Sequence, residues 1–304
     1  MSSDENEYPD WIWNVLVCPY CGGKLDHRSS AAECAACGTV YPLASSGQLD
    51  LRLRGPKNVS AGVTLGCDQR AEIPCYPLSI NPGQDPSLAG SRSATGNVKP
   101  AAASWLLPER GDGELVLDLG CGSQPLRPLV ESAGFNYIGL DYADPGSHLI
   151  GDAHALPFAD GTFDRVLTIA ALECFQYPLV AAREVHRVLA PGGQFVGTVA
   201  HLIPYLDHSH YNHTHRGVAT TLETAGFELE RLMTPTDWTV LAATAELGLF
   251  PAMPDPLARA AVKPVHWFSR LWWRLGSKVR PIRSDANEMV RLASYFLFVA
   301  SKPE

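Results

Sequence analysis

The sequence predicts an α/β fold, a mostly parallel sheet covered by helices on both faces, preceded by a small metal-bound module. Three observations carry this. From residue 114 onward, short apolar runs alternate with stretches of helical periodicity. The first run, ELVLDLG, ends in an aspartate and opens into a glycine-rich turn, DLGCGSQP. Near the front, two CxxC pairs stand twelve residues apart.

At 304 residues the chain can hold one sizeable core plus a small module. A net charge of −8 argues against a protein that coats nucleic acid, although a local basic patch is compatible with it. The opening residues, MSSDENEYPD, are acidic and polar, unlike a secretory leader. No apolar run approaches the roughly 18 residues of a membrane span. The expected compartment is the cytoplasm, where paired cysteines read as metal ligands rather than disulfides.

The front module, residues 1–55, is expected to fold around a structural zinc. Cys18 and Cys21 form one knuckle in CPYCGGKL, and Cys34 and Cys37 form the other in CAACGTVYP. Each knuckle supplies two corners of a tetrahedron, and Gly22 and Gly38 allow the tight turns behind them. A segment this short buries too little core to fold alone, so the metal would supply its stability. His27, between the knuckles, reads as an exposed turn residue. GQLDLRLRG (47–55) reads as a strand leaving the module. Residues 56–98 are rich in Gly, Pro, Ser and Asn and read as a linker or lid, with Cys67 and Cys75 inside it.

The core elements follow in order. ELVLDLG, FNYIGLDYA, FDRVLTIAAL and GQFVGTVA read as successive strands. Between the last two, PLVAAREVHRVLAPGG (178–193) places Val180, Ala181, Val185, Val188 and Leu189 near a 3.6-residue period. TLETAGFELERL reads as a helix and a strand, and LASYFLFVASK as the final strand. In such sheets ligands bind beyond the carboxyl ends of the strands. Gly120 and Gly122 would let backbone approach a ligand there. Asp141, at the end of the next strand, could accept from a ribose diol. Asp152 and the Ala153 backbone are placed to read an adenine edge, with Phe158 and Phe163 closing the pocket.

Taken in order and spacing, LDLGCG, GLDYA, GDAHALPF, FDRVLTIAALECF and REVHRVLAPGGQFVGTV resemble the class I S-adenosylmethionine-dependent methyltransferases. The resemblance implies a Rossmann-like, seven-stranded sheet over residues 99–304 and S-adenosylmethionine as cofactor. It implies that Asp118, Gly120, Cys121 and Gly122 serve the methionine end. Asp141 with its neighbour Tyr142 would serve the ribose, and Asp152 with Ala153 the adenine. Two residues depart from the family pattern. Gln124 stands where many members have a third glycine, which predicts a slightly shifted loop. Cys174 stands where many have histidine after Leu-Glu, so Glu173–Cys174 points to no particular substrate group. The family's last two strands form a hairpin. Here they are separated by a segment expected to be a helical insertion at 237–290.

The front module is similar to the zinc ribbon of some ribosomal RNA guanine methyltransferases and to a family of small methyltransferase activators. Two acceptors therefore stand open. One is an O or N nucleophile on a small molecule, of natural-product or lipid-linked type. The other is a ribosomal RNA guanine. The insertion adds a basic, aromatic stretch, 259–283, without an acidic residue and with Trp267, Phe268, Trp272 and Trp273. It reads first as a helix packed on the core, as most aromatic stripes are, and otherwise as a membrane-surface or lid helix or as an RNA contact.

HSHYNHTHRG (208–217) concentrates four histidines, His208, His210, His213 and His215. It follows the strand GQFVGTVA, which puts it beside the methyl-donor pocket of the resembled fold. His210, His213 and His201 at the strand end are the candidates to orient or deprotonate an acceptor.

Overall fold

The structure, a computed structural model, describes residues 8–28, 30–59, 107, 111, 113–203, 208–234, 239–279 and 292–304. The linker read at 56–98 lies almost wholly outside the described residues, as do Cys67 and Cys75.

The front of the chain forms α1 (Asp10–Val15), β1 (Leu25–Arg28), β2 (Ala31–Cys34), β3 (Val40–Pro42) and β4 (Leu49–Asp50). The core follows as β5 (Leu115–Leu119), α2 (Arg127–Ser132), β6 (Asn136–Asp141), β7 (Leu149–Ile150) and β8 (Phe163–Ile169). Next come α3 (Pro178–Val188), β9 (Leu189–Ala200), α4 (His215–Thr224) and β10 (Glu228–Met233). The insertion contributes α5 (Val240–Thr244) and α6 (Asp255–Val279), and β11 (Tyr295–Ser301) closes the fold.

The main sheet runs β10-β11-β9-β8-β5-β6-β7-β4. All pairings are parallel except those of β11, which lies antiparallel between β9 and β10. The central strand β5 and the run of β9 from Phe195 onward are buried, because helices cover both faces of a parallel sheet.

The sheet has eight strands where seven were expected. The extra one is β4, which the sequence reads as a strand leaving the module. It pairs instead with β7, Leu49 opposite Leu149 and Asp50 opposite Ile150. β7 is only two residues long and would otherwise end the sheet in an open edge, which β4 covers. The cysteine module itself is a separate three-stranded antiparallel sheet, β1-β2-β3.

The module is fused to the main domain by packing. Ile12, Leu16, Leu25 and Tyr41 belong to the same buried cluster as Leu117, Leu140 and Phe158. Each such fully buried side chain stabilises by about 1.5–3 kcal/mol. Backbone bonds seal the seam, Val17 N–H to the Pro157 carbonyl at 2.9 Å and Ala159 N–H to the Val15 carbonyl at 3.0 Å. Phe158 and Phe163 pack edge to face at 4.9 Å, fully buried. Phe163 opens β8 at its amino end, away from the ligand end, so both rings are core and neither closes a pocket. His27 lies on β1 rather than in a turn, with its ring 4.3 Å from that of Trp13.

The insertion leaves the sheet after β10 and returns before β11. Thr239 bridges to Ala293 at its base. Buried Glu246, in a π turn at Ala245–Leu249, pairs with Arg259 and ties α6 down at its start.

Candidate active site

β5, β6, β8 and β9 are parallel, so their carboxyl ends lie along one edge of the sheet, where two differently built sets of residues gather.

On the first side, β5 ends in Gly120–Gly122. Gly120 has φ +76°, and a β-carbon on it would lie 2.4 Å from the Ala171 side chain. Only glycine meets both conditions. Asp118, 2% exposed, lies beneath this loop and accepts the Tyr137 hydroxyl at 2.7 Å. Burial pushes its carboxyl up to about 7 despite that bond, and nearby Asp141 adds to the rise. Asp141 ends β6. Its Oδ2 accepts from Gly122 N–H at 3.0 Å, and its Oδ1 accepts from Ala143 and Asp144 N–H at 3.0 and 3.1 Å. Three of its roughly four lone-pair sites are thus engaged in shaping the loop.

Asp152 is similarly fixed. Its Oδ1 accepts from the His154 backbone N–H at 2.9 Å and from the His154 ring at 2.6 Å. Burial alone would raise this carboxyl, but the His154 bonds bring it below the usual range. The Tyr177 N–H donates to His154 Nε2 at 3.1 Å, which fixes the ring proton on Nδ1. Ala153, between them, is buried. Cys121 is also buried, and burial raises its thiol. Tyr142 is exposed, with Arg52 stacked 5.3 Å from its ring centre.

Arg52 is a contribution from the front of the chain. It clamps buried Asp50 through Nε at 2.9 Å and Nη2 at 2.7 Å, and its Nη1 donates to the Tyr142 carbonyl at 3.3 Å. The segment after the cysteine module therefore borders the candidate site beside Asp141. Sequence reasoning missed Arg52, because nothing local shows that β4 joins the main sheet.

Gln124, which stands where a third glycine was expected, adopts φ +62°, a left-handed conformation that favours glycine, and its Nε2 donates to the Gly146 carbonyl. The turn therefore places backbone strain in Gln124.

On the second side, the chain leaves β8 through Ala170, at φ +53°, into a short turn at Leu172–Cys174. Glu173 in this turn is 1% exposed, and neither carboxylate oxygen makes a hydrogen bond. Burial pushes it up to about 7, and the nearby Glu173 and Ala200 amides temper the rise without closing a hydrogen bond. Cys174 beside it is pushed up to about 11 by burial, with Glu173 and Asp141 adding negative charge.

The histidine-rich segment is laced across this turn. The Glu173 carbonyl accepts from His210 and Tyr211 N–H at 2.8 and 3.2 Å, and the Tyr211 hydroxyl donates to the Gln176 carbonyl at 2.9 Å. His213 N–H donates to the Ala200 carbonyl at the end of β9. The His213 side chain is buried, its Nε2 has no partner, and burial lowers its basicity. His201 Nδ1 lies 2.8 Å from the His213 carbonyl, so that nitrogen carries the proton and Nε2 is the basic one. Burial lowers the His201 ring as well. His201 and His213 thus meet, while His208 and His210 are exposed. Glu173 is the residue the sequence reading passed over, and its burial was not visible there.

Away from the candidate site, Cys18, Cys21, Cys34 and Cys37 place their sulfurs within 4.8 Å of one another. Cys18–Cys37 and Cys21–Cys34 stand at 3.7 and 3.5 Å. Four thiolates around one zinc would stand about 3.8 Å apart, so the set fits a tetrahedral metal. Gly22 and Gly38, at φ +73° and +70°, donate to the Cys18 and Cys34 carbonyls and close the knuckles.

Residues 117–197 match the methyltransferase domain family. The chain is 32% identical over 139 residues to malonyl-[acyl-carrier protein] O-methyltransferase of Erwinia pyrifoliae, covering 40% of this chain and 52% of that one. It is 27% identical over 189 residues to 2-methyl-6-phytyl-1,4-hydroquinone methyltransferase of Synechocystis, covering 51% and 57%. A chain from the complex between the Haloferax volcanii Trm112 methyltransferase activator and a methyltransferase superposes with a TM-score of 0.47 at 22% identity, over 66% of this chain and 88% of that one. The chain spans about half the length of these two curated relatives.

Proposed function

We propose, from the match of residues 117–197 to the methyltransferase domain family, that the protein transfers a methyl group from S-adenosylmethionine to an O or N nucleophile of a small molecule. When bound, the cofactor supplies an electrophilic methyl on a sulfonium. The residues fit such a ligand. Gly120 lets β5 turn tightly against Ala171, and the Gly120–Gly122 backbone would receive the methionine end, above Asp118 and beside Cys121. Asp141 would bind the ribose, next to Tyr142. Asp152 holds Oδ1 on His154 and would offer Oδ2 to the adenine amino group, with the Ala153 backbone alongside.

The observation that carries the acceptor side is the pair of buried, unpartnered groups, Glu173 and His213 Nε2. Unsatisfied buried polar atoms are costly, so two titratable ones at the same end of the sheet call for a reason, and an acceptor that supplies their hydrogen bonds is one. An O–H or N–H nucleophile must lose a proton as it is methylated, and both groups can accept one near neutral pH. Glu173 is tuned to about 7, and His213 is held neutral by burial. His201 would hold the segment through the His213 carbonyl, or serve as base through Nε2. His210, exposed at the rim, would contact the acceptor from outside. The four cysteines would hold a structural zinc that stiffens the module against the core.

The test is a mass-resolved methylation screen with labelled cofactor, offering a metabolite extract and ribosomal RNA in parallel. Label on a small molecule supports the proposal. Label on RNA alone would instead favour a guanine acceptor. Failure to bind S-adenosylmethionine by calorimetry would sink both.

A further inference from the structure

α6 is turned outside in. With about 100° per residue, Leu257, Val265, Phe268, Leu271, Trp272 and Leu275 fall within one arc of the helix. All six are exposed, as is Trp267 at its border, with Trp267 and Trp272 at 67% and 66%. The less exposed arc carries mainly small side chains, Ala258, Val262, Ser269 and Gly276, beside His266 and Trp273. A helix held on a globular core turns its large apolar side chains inward. Here most of them face out, and the core-packed reading of this stretch fails.

Charge specifies the occupant. Exposed Lys263, Arg270 and Arg274 follow one border of the apolar arc, at spacings of seven and four residues. No acidic residue lies between Pro256 and Val279, in a chain of net charge −8. Arg259, near the start of the helix, lies off this border and pairs with Glu246. An outward apolar face edged by cations matches a helix that lies in the headgroup layer of an acidic membrane. Besides its aromatic rings the face carries Leu257, Val265, Leu271 and Leu275, aliphatic side chains that a hydrocarbon layer takes up and on which bases do not stack. Among the described residues no helix is long and apolar enough to cross a membrane, so the contact is with its surface.

We propose that α6 docks the protein on bilayers containing anionic lipid, with Trp267, Phe268 and Trp272 in the interface and Lys263, Arg270 and Arg274 on the headgroups. The helix is about 37 Å long, enough to lie flat along the surface. Its insertion leaves and re-enters the sheet beside the end of β9, where Tyr295 pairs with Ala200 and His201 follows. The docked face therefore hangs from the same edge of the sheet as the acceptor side of the candidate site. If the methyl-transfer reading is right, an acceptor with a long apolar tail could be reached from the bilayer. The docking itself does not depend on that reading.

The test is flotation of the full chain with phosphatidylcholine vesicles, with and without phosphatidylserine. Binding is expected to the mixed vesicles and to weaken with added salt. Lys263→Gln, Arg270→Gln and Arg274→Gln together should weaken it about a hundredfold. Trp267→Ser, Phe268→Ser and Trp272→Ser together should abolish flotation while leaving the melting curve unchanged, because all three side chains are already exposed. Failure of the unmodified chain to float overturns the proposal. So does flotation that survives the serine variant, or retention on RNA with no vesicle binding. A dimer in solution that the serine variant dissolves, again without vesicle binding, would assign the face to a second copy and overturn it too. Calorimetry with S-adenosylmethionine reads the methyl-transfer proposal separately, so either can fail without the other.

Discussion

The two sides of the candidate site differ in how their titratable groups are satisfied. On the first side every carboxylate has a partner within the protein. Asp118 has Tyr137, Asp141 has three backbone amides, and Asp152 has His154. On the second side Glu173 and His213 Nε2 are buried with none. A satisfied set is rigid before its ligand arrives, which suits a cofactor that never varies. An unsatisfied pair waits for hydrogen bonds that an acceptor must supply, which suits a reaction partner. On the proposed reading the first side holds the cofactor and the second does the chemistry, and the two can be broken independently.

The largest effect is expected at Glu173. If it accepts the acceptor's proton, Glu173→Gln lowers turnover by roughly 10²–10⁴-fold. Cofactor affinity, measured by calorimetry, stays unchanged. Equal loss of both would merge the two sides and end the comparison.

The same variant changes the pH dependence of stability, with a defined sign. Glu173 sits at about 7 in the fold against 4.5 when unfolded. The folded chain therefore holds this proton more tightly. Stability from this group is full below about pH 4.5 and is lost as pH rises towards 7, by roughly 3 kcal/mol over that span. Glu173→Gln should match the unmodified chain at pH 4 and exceed it in denaturant midpoint at pH 8. Asp118, raised in the same direction from 3.8 to about 7, gives a slope of the same sign that remains in the variant. A Glu173→Gln chain no more stable at pH 8 than the original would show that Glu173 finds a partner in solution.

Asp141 tests the other side. Asp141→Ala removes a charged acceptor, and cofactor affinity should fall roughly ten- to a hundredfold. Turnover at saturating cofactor should change little. The converse pattern, lost turnover with retained affinity, would move Asp141 to the acceptor side.

How much of this could be read from the sequence follows the same division. The first side is written in consecutive residues. A glycine turn after a strand, and an aspartate at the end of the next, need no tertiary knowledge. Even His154, two residues from Asp152, lies inside a stretch the sequence singles out. The second side is assembled by main-chain bonds between distant segments, His210 and Tyr211 to Glu173, and His213 to Ala200. Nothing in the sequence tells that Glu173 is buried, so it reads as uninformative. Arg52 escaped for a related reason, since its place depends on β4 joining the main sheet. For α6, periodicity gives an apolar face but not the direction in which that face points. Helical projection is symmetric in that respect, and only packing breaks the symmetry.

The smallest prediction sharpens the first side, where backbone geometry does most of the holding. Gln124 sits at φ +62°, and its Oε1 is buried without a partner, although its Nε2 bonds the Gly146 carbonyl. A left-handed conformation costs a non-glycine residue about 1–2 kcal/mol. Glycine relieves that strain but loses the side-chain bond and adds freedom to the unfolded chain, offsets of about 1 kcal/mol each. The absolute change for Gln124→Gly is therefore small. The contrast with Gln124→Ala is cleaner, because both variants lose the same bond and only glycine is unstrained. Glycine should be the more stable of the two by about 1 kcal/mol, read from denaturant midpoints. At an ordinary helical or extended position the order is reversed. An alanine variant as stable as glycine would mean the loop has left this conformation, and then the Gly122–Asp141 bond that depends on its path could not be the feature that shapes the cofactor side.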